Sequence, residues 1–305
     1  MTDQKPKKFV VIDGHALIYR GYYALPPLTT QKGELVNAVF GFTSVMLNML
    51  GKLRPDYLAV TFDLKAPTFR HEAYEDYKAT RPETPDDLIA QVPRIKQIVE
   101  AFKIPIFEQA GFEADDMIAT LAKKIEDYPE VEMAILTGDM DLTQLITDQV
   151  KVVAPISGFH EVKNYDAEVV FEKYGVRPDQ MVDYKALVGD TSDNISGVPG
   201  IGKKTASKLL QEYETLDGVY ENLSDLKGAM LNKLEFGREL AYKSQELVQL
   251  RFDAPMDFDL ESCQTHEVDG GQVRLLFGEL EFRSLLQKFD NLQNSWQTEN
   301  QQALF

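Results

Sequence analysis

Three short apolar runs, each rich in β-branched or aromatic residues and each closed by an aspartate, constrain this chain more than any other feature. Residues 9–12 end at Asp13, residues 57–62 end at Asp63, and residues 131–136 end at a turn carrying Asp139 and Asp141. Runs of this length, separated by helical patterns, read as buried strands of a parallel sheet covered on both faces. In such α/β sheets the ligand site lies outside the carboxyl ends of the strands. The chain therefore delivers one acid after another to the edge where chemistry is expected. An aspartate after a strand also serves as a helix N-cap, so one alone decides nothing. Three with the same placement form a pattern.

Two further acidic groups follow. Glu113, Asp115 and Asp116 open a helical pattern whose last turn is basic, at Lys123 and Lys124. Acids at a helix start suit the macrodipole. Glu113 and Asp116, however, are three apart and share a face with Met117 and Leu121. Carboxylates on a core-facing stripe need partners. Asp190 and Asp193 repeat the spacing of three.

Metal ions would supply those partners. The nine carboxylates come without a His or Cys ligand cluster: His15, His71 and His160 are scattered, His266 lies in a polar C-terminal region, and Cys263 is the single cysteine. Oxygen-only groups suit Mg²⁺ or Mn²⁺ and argue against zinc. Two such ions close together activate water and stabilise the leaving oxygen of a phosphodiester. The chain has no glycine-rich Walker loop, which argues against nucleoside triphosphate hydrolysis.

The 305 residues carry 49 acids against 32 bases, a net charge of −17. Taken alone, that balance argues against a nucleic-acid partner. One cysteine suits a reducing cytoplasm, and no run of about 20 apolar residues offers a membrane span. Lys5, Lys7 and Lys8 precede an apolar run too short for a signal peptide, which needs roughly 7–15 residues. A cytoplasmic monomer is expected. Two segments depart from the acidic balance. Residues 197–210 carry Lys203, Lys204 and Lys208 and no acid. Gly200 and Gly202 there form a turn between two helices that brings backbone N–H groups and a helix start to a phosphate. The plain alternative is a helix–turn–helix link that needs glycine for its geometry. Residues 65–82 interleave Lys65, Arg70, Lys78 and Arg81 with Phe69, Tyr74 and Tyr77, a pattern that stacks bases and pairs phosphates. Glu72, Glu75 and Asp76 dilute it, and its place directly after Asp63 favours it.

In chain order, the Asp13-Gly-His motif, Phe62-Asp63, the 66–81 segment, Glu113-Ala-Asp115-Asp116, Gly-Asp139-Met-Asp141 and Asp190-Thr-Ser-Asp193 with the 197–202 turn resemble the bacterial 5′ nuclease family. This is the 5′-3′ exonuclease and flap endonuclease type found as a domain of DNA polymerase I. The resemblance runs from about residue 8 to about residue 290. It implies a PIN-like parallel-sheet α/β nuclease core over residues 1–184, with a helical gateway at about 65–85. A helix–three-turn–helix (helix-hairpin-helix) DNA-binding region over 185–290 and a flexible tail over 291–305 complete the expected organisation.

The resemblance also assigns residues. Asp13, Asp63, Glu113, Asp115, Asp116, Asp139 and Asp141 match one group of ligands for two or more Mg²⁺ or Mn²⁺ ions. Asp190 and Asp193 match a second group, to which Asp141 and its neighbours are open to contribute. Lys78 and Arg81 match gateway residues that contact the scissile phosphate and, with Asp13, Asp63 and Asp116, form the expected catalytic set. Arg20, Arg70 and Tyr77 match positions on the DNA strand. Gly200, Gly202, Lys203 and Lys204 match the turn that grips duplex, where family members often hold K⁺. The implied activity is metal-dependent hydrolysis of phosphodiesters at 5′ ends or 5′ flaps of DNA, and of RNA primers in RNA–DNA hybrids, during replication and repair. Gln301, Leu304 and Phe305 on the polar tail resemble a sliding-clamp-binding peptide, with chance as the plain alternative. Two other readings stand beside the nuclease: a non-catalytic DNA-binding or clamp-associated module, and a PIN-type ribonuclease.

Overall fold

The computed structural model describes residues 5–156, 161–265 and 267–302. Six strands form the main sheet: β1 (Lys7–Asp13), β2 (Tyr57–Thr61), β3 (Ile106–Phe107), β4 (Val131–Leu136), β5 (Val150–Pro155) and β6 (Val162–Tyr165). Their order is β3-β2-β1-β4-β5-β6. The first five run parallel and β6 is antiparallel to β5. The three apolar runs that end in aspartate are the three neighbouring central strands. Ile12 lies beside both Val60 and Leu136, and Asp13 lies beside Thr61.

The helices are α1 (Gly14–Ala24), α2 (Asn37–Leu53), α3 (Phe69–Ala73), α4 (Asp86–Ile89), α5 (Val92–Ala101), α6 (Ala114–Ile125), α7 (Ala167–Tyr174), α8 (Met181–Val188), α9 (Lys203–Tyr213), α10 (Leu216–Glu221), α11 (Ala229–Val248), α12 (Gly270–Glu279) and α13 (Arg283–Gln302). Side chains alternate across a strand, and here each face feeds its own core. Phe9, Val11, Tyr57, Ala59, Met133 and Ile135 pack with Met117, Ile118 and Leu121 of α6. Val10, Ile12, Leu58, Val60 and Leu136 pack with Val39, Phe42 and Met46 of α2. The two faces explain why these strands read as continuous apolar runs. The result is the expected PIN-like α/β core. Helices α1 and α2 touch backbone to backbone: a Cβ on Gly41 would lie 2.5 Å from the Gly21 Cα.

The helical region grows out of the α6 face. Its Val198, Ile201, Leu209, Leu210, Leu216 and Leu234 join the same core as Phe9 and Leu121. Between α8 and α9 a small hairpin, β7 (Gly189–Asp190) paired with β8 (Ile195–Ser196), carries the last acid pair.

Two expectations about extent need correction. The polar tail expected from residue 291 is helical as far as Gln302. Leu285, Phe289 and Trp296 are buried and Leu292 is packed beside them, on the core that contains α2. The positions 285, 289, 292 and 296 form one helical stripe, which Asn and Gln between them obscure. The region expected to run to residue 290 also divides in space. Val273, Leu276 and Phe277 of α12 join α13 on the α2 and α5 face, on a different core from the turn at residues 197–202.

Candidate active site

β1, β2 and β4 end side by side, so the acids that follow them meet at one edge. Asp13 closes β1 and caps α1. Its Oδ1 accepts from the Ala16 N–H at 3.0 Å and its Oδ2 from Thr137 Oγ1 at 2.6 Å. Asp63 Oδ1 accepts from the Ala114 N–H at 2.7 Å, the first residue of α6, which brings that helix start to the strand ends. The Asp63 N–H donates to His15 Nδ1 at 3.0 Å. Asp139 Oδ1 accepts from the Asp141 N–H at 2.8 Å. Asp13, Asp63, Glu113, Asp115, Asp139 and Asp193 thereby line one cleft of about 370 Å³, together with Lys78 and Arg81.

The crowding of like charge alters protonation. Burial, with Asp139 and Asp63 close by, pushes the Asp13 carboxyl up to about 7. Burial and Asp139 likewise hold Asp141 at about 7. Asp115 is raised well above the usual range by burial, then by Asp139 and Asp13. Such a cleft is short of positive charge. Its carboxylates offer oxygen donors, which fit Mg²⁺ or Mn²⁺, while His15 and His71 on the same wall keep their Nδ1 atoms on the Asp63 N–H and on Thr68. Among the described residues no three acidic, His or Cys side chains converge on one point as ion ligands. The carboxylates are held instead by side-chain cations. Lys78 Nζ sits 2.7 Å from Glu113 Oε1, Arg81 pairs with Asp193, and Lys185 bonds both Asp141 and Asp190, the latter at 2.5 Å.

Residues 65–85 form the expected gateway position but little helix. Only α3 is helical before α4, and residues 75–80 are turns. Pro67, Pro82 and Pro85 bracket the segment and shorten any helix there. Lys78 takes a left-handed backbone, φ 57°, and its N–H donates to the Asp193 carbonyl at 3.0 Å. Tyr77 is buried, its hydroxyl 3.1 Å from Glu113 Oε2 and 3.2 Å from Asp193 Oδ2. Burial and these two carboxylates raise its phenol. Tyr77 is therefore a strut between two carboxylates, and the DNA-strand contact expected of it is corrected.

Two more expectations, for Asp116 and Arg70, are overturned by direction. Asp116 does not reach the cleft. It is fully buried, and its oxygens accept from Arg70 Nη1 at 2.7 Å, Arg70 Nη2 at 2.8 Å, Glu113 N at 3.0 Å and Arg251 N at 2.9 Å. The expected ligand and catalytic acid instead caps α6 and fixes Glu113. Arg70, expected on DNA, is 1% exposed. It also donates to the Leu247 and Gln249 carbonyls at 2.9 and 3.0 Å. Arg20 is half-buried beside the cleft lining, its guanidinium on the Ile156 carbonyl. Lys185 is the site residue that the motifs did not reveal, a lysine five before Asp190 with no spacing of its own. His15 and Thr137 lie within the motifs around Asp13 and Asp139 but were given no role there.

At the turn, Gly200 adopts φ 80° and Gly202 caps α9, leaving Lys203 and Lys204 exposed in its first turn. The Ser196, Val198 and Gly200 carbonyls already accept, from Ser244 Oγ at 2.6 Å, Ile201 N at 3.0 Å and Lys233 Nζ at 3.0 Å. A monovalent ion there would share them. His160, His266, Leu304 and Phe305 lie outside the described residues, and Gln301 falls in the last turn of α13.

Residues 8–175 match the family described as 5′-3′ exonuclease, N-terminal resolvase-like domain. Residues 176–270 match 5′-3′ exonuclease, C-terminal SAM fold. DNA polymerase I of Bacillus caldotenax is 42% identical over 286 residues, which are 93% of this chain and 32% of that protein. The chain spans about a third of the length of the curated relatives it matches. Among solved structures, zinc-bound T5 5′-exonuclease has a TM-score of 0.63 at 25% identity, covering 79% of this chain and 89% of that one. A bacteriophage T5 flap endonuclease with DNA and metal ions has a TM-score of 0.66 at 20% identity, covering 94% and 98%. Fold and acidic cleft together define a PIN-like nuclease. The chain belongs to the 5′-3′ exonuclease family, and as an enzyme it is a 5′ nuclease, a phosphodiester hydrolase.

Proposed function

We propose that this chain uses two or more Mg²⁺ or Mn²⁺ ions to cut DNA at 5′ ends and 5′ flaps, and RNA primers in RNA–DNA hybrids. The observation that carries this reading is the single cleft in which acids from three strand ends, one helix start and the α8–α9 hairpin face Lys78 and Arg81. The solved relatives named above carry divalent ions, and one of them DNA. Asp13, Asp63, Glu113, Asp115 and Asp139 would hold one ion, and Asp141, Asp190 and Asp193 the other. Divalent ions in such a setting activate water and stabilise the leaving oxygen of a phosphodiester.

The chain's own residues do the rest. Lys78 and Arg81, now paired with Glu113 and Asp193, would be free to place their charge on the phosphate under attack once those carboxylates held ions. Lys203 and Lys204, at the start of α9, hold duplex phosphates with the N–H groups of that helix start. With contacts of this kind made to phosphate, we assign specificity to DNA shape. Among the described residues no helix is long and apolar enough to cross a membrane, and a cytoplasmic monomer remains the proposed state.

Asp115→Asn tests the reading, because Asp115 lines the cleft and holds no structural cation. On a labelled 5′-flap substrate with Mg²⁺ the variant should lose on the order of 10²–10³ in rate, the scale of a removed charge-stabilising group. Its melting temperature should stay close to wild type. Cleavage at the wild-type rate would remove the metal assignment. Product length on the same gel separates flap cutting, one product from the junction, from exonuclease action, a ladder of mononucleotides.

A further inference from the structure

The second carboxylate group already holds a cation of its own. Lys185 stands on α8, with Asp190 Oδ2 at 2.5 Å from its ammonium and Asp141 Oδ1 in contact on the other side. The three groups come from different places: Asp141 follows β4, Lys185 belongs to a helix, and Asp190 belongs to the β7–β8 hairpin. Their side chains are 24%, 15% and 10% exposed, so water screens the contact little. Burial alone would lower the Lys185 ammonium, yet Asp141 and Asp190 raise it; burial would raise Asp190, yet Lys185 and Ser192 bring it down to about 2. An ammonium is a compact point charge, and this one bridges the same two carboxylates assigned above to the second ion.

We propose that Lys185 is the resident counter-cation of the Asp141–Asp190 pair, and that a divalent ion binds these carboxylates only by displacing it. The inference rests on the metal reading above and deepens it. Two facing carboxylates with no cation between them repel each other in a poorly solvated place, so Lys185 keeps the pair assembled while no ion is bound. The same contacts weaken ion binding. The arrangement with Lys185 withdrawn is a minor fraction of the population, and the apparent Kd rises by the inverse of that fraction. Lys185 is thus a positioning residue that sets how much free metal the second group requires.

The test is Mn²⁺ titration of the full chain by calorimetry, without DNA, at fixed pH and ionic strength. In wild type the class of binding that disappears in D190N identifies the second group. In K185M that class should tighten by about tenfold or more, the release expected when a competing state is removed. K185R, which keeps the charge, should stay near the wild-type value. The sign separates this from damage to the fold, since a disturbed site binds Mn²⁺ more weakly. Should K185M not fold, K185Q carries the same comparison. Unchanged or weaker binding in the folded neutral variant overturns the proposal. Absence of all Mn²⁺ binding in wild type overturns the metal reading and this one with it.

Discussion

Removing the Arg70 guanidinium would leave Asp116, which has no exposure at all, without the two shortest of its four bonds. Breaking a buried pair from one side costs about 3–5 kcal/mol, so Arg70→Met should lower the unfolding free energy by an amount of that size, read from the fall in the urea midpoint at unchanged m. Were Arg70 a phosphate contact, stability would hold and DNA affinity would fall with a shallower salt slope; that pattern would refute the buried role. The same pair shows where the residue alphabet stops being informative. Arg70 stands among lysines and aromatics in a segment that does reach the cleft at Lys78 and Arg81, and interleaved basic and aromatic residues look alike whether a given arginine points outward or inward. Asp116 and Asp115 are adjacent acids at one helix start, yet helical rotation sends one to the cleft and the other into the core. Asp13, Asp63, Glu113, Asp139 and Asp193 were legible because strand ends and motif spacing fix direction. Lys185 was not, because its partners lie 44 and 5 residues away and only the fold joins them.

At the scale of elements, the site depends on how α1 is seated, since Asp13 caps it and His15 lies in its first turn. That seating needs bare backbone. Gly41→Ala would put a methyl 2.5 Å from the Gly21 Cα and force α1 from α2, an overpacking that costs about 1–3 kcal/mol. The urea midpoint should fall with an unchanged m-value, and nuclease rate should fall with it through the displaced Asp13. A variant as stable as wild type would mean that the helices separate freely. The central strands were legible because each is apolar on both sides and short. The gateway was legible as a place but not as a shape, since prolines and the left-handed Lys78 replace helix with turns. The last helix was missed because its stripe, Leu285, Phe289, Leu292 and Trp296, is thin and the residues between are Asn and Gln, whose composition suggested a tail.

For the molecule as a whole, the net charge of −17 is uneven. Eight of the 49 acids belong to the two proposed ligand groups, leaving 41 against 32 bases, so part of the acidity that seemed to exclude nucleic acid belongs to the chemistry performed on it. The metal-free fold is stabilised by protons on Asp13 and Asp141, whose carboxyls are raised from 3.8 to about 7. That contribution is complete below about 4, the ordinary aspartate value, and is lost as pH rises through 7. The melting temperature without metal should therefore fall across this interval. The gain from Mg²⁺ should widen in step, approaching about 2.7 kcal/mol at a hundred times Kd. Melting curves at pH 5 and pH 8, each with Mg²⁺ and with chelator, check this; a melting temperature at pH 8 indifferent to Mg²⁺ would contradict it.

The return of α12 and α13 to the face of α2 and α5 has a mechanical meaning. The end of the described chain sits on the sheet body and not on the helical region that carries the proposed duplex-binding turn. A pull on α13 is therefore felt first by α2 and α5, and through them by the sheet whose edge carries the acids, while the α9 turn belongs to another core.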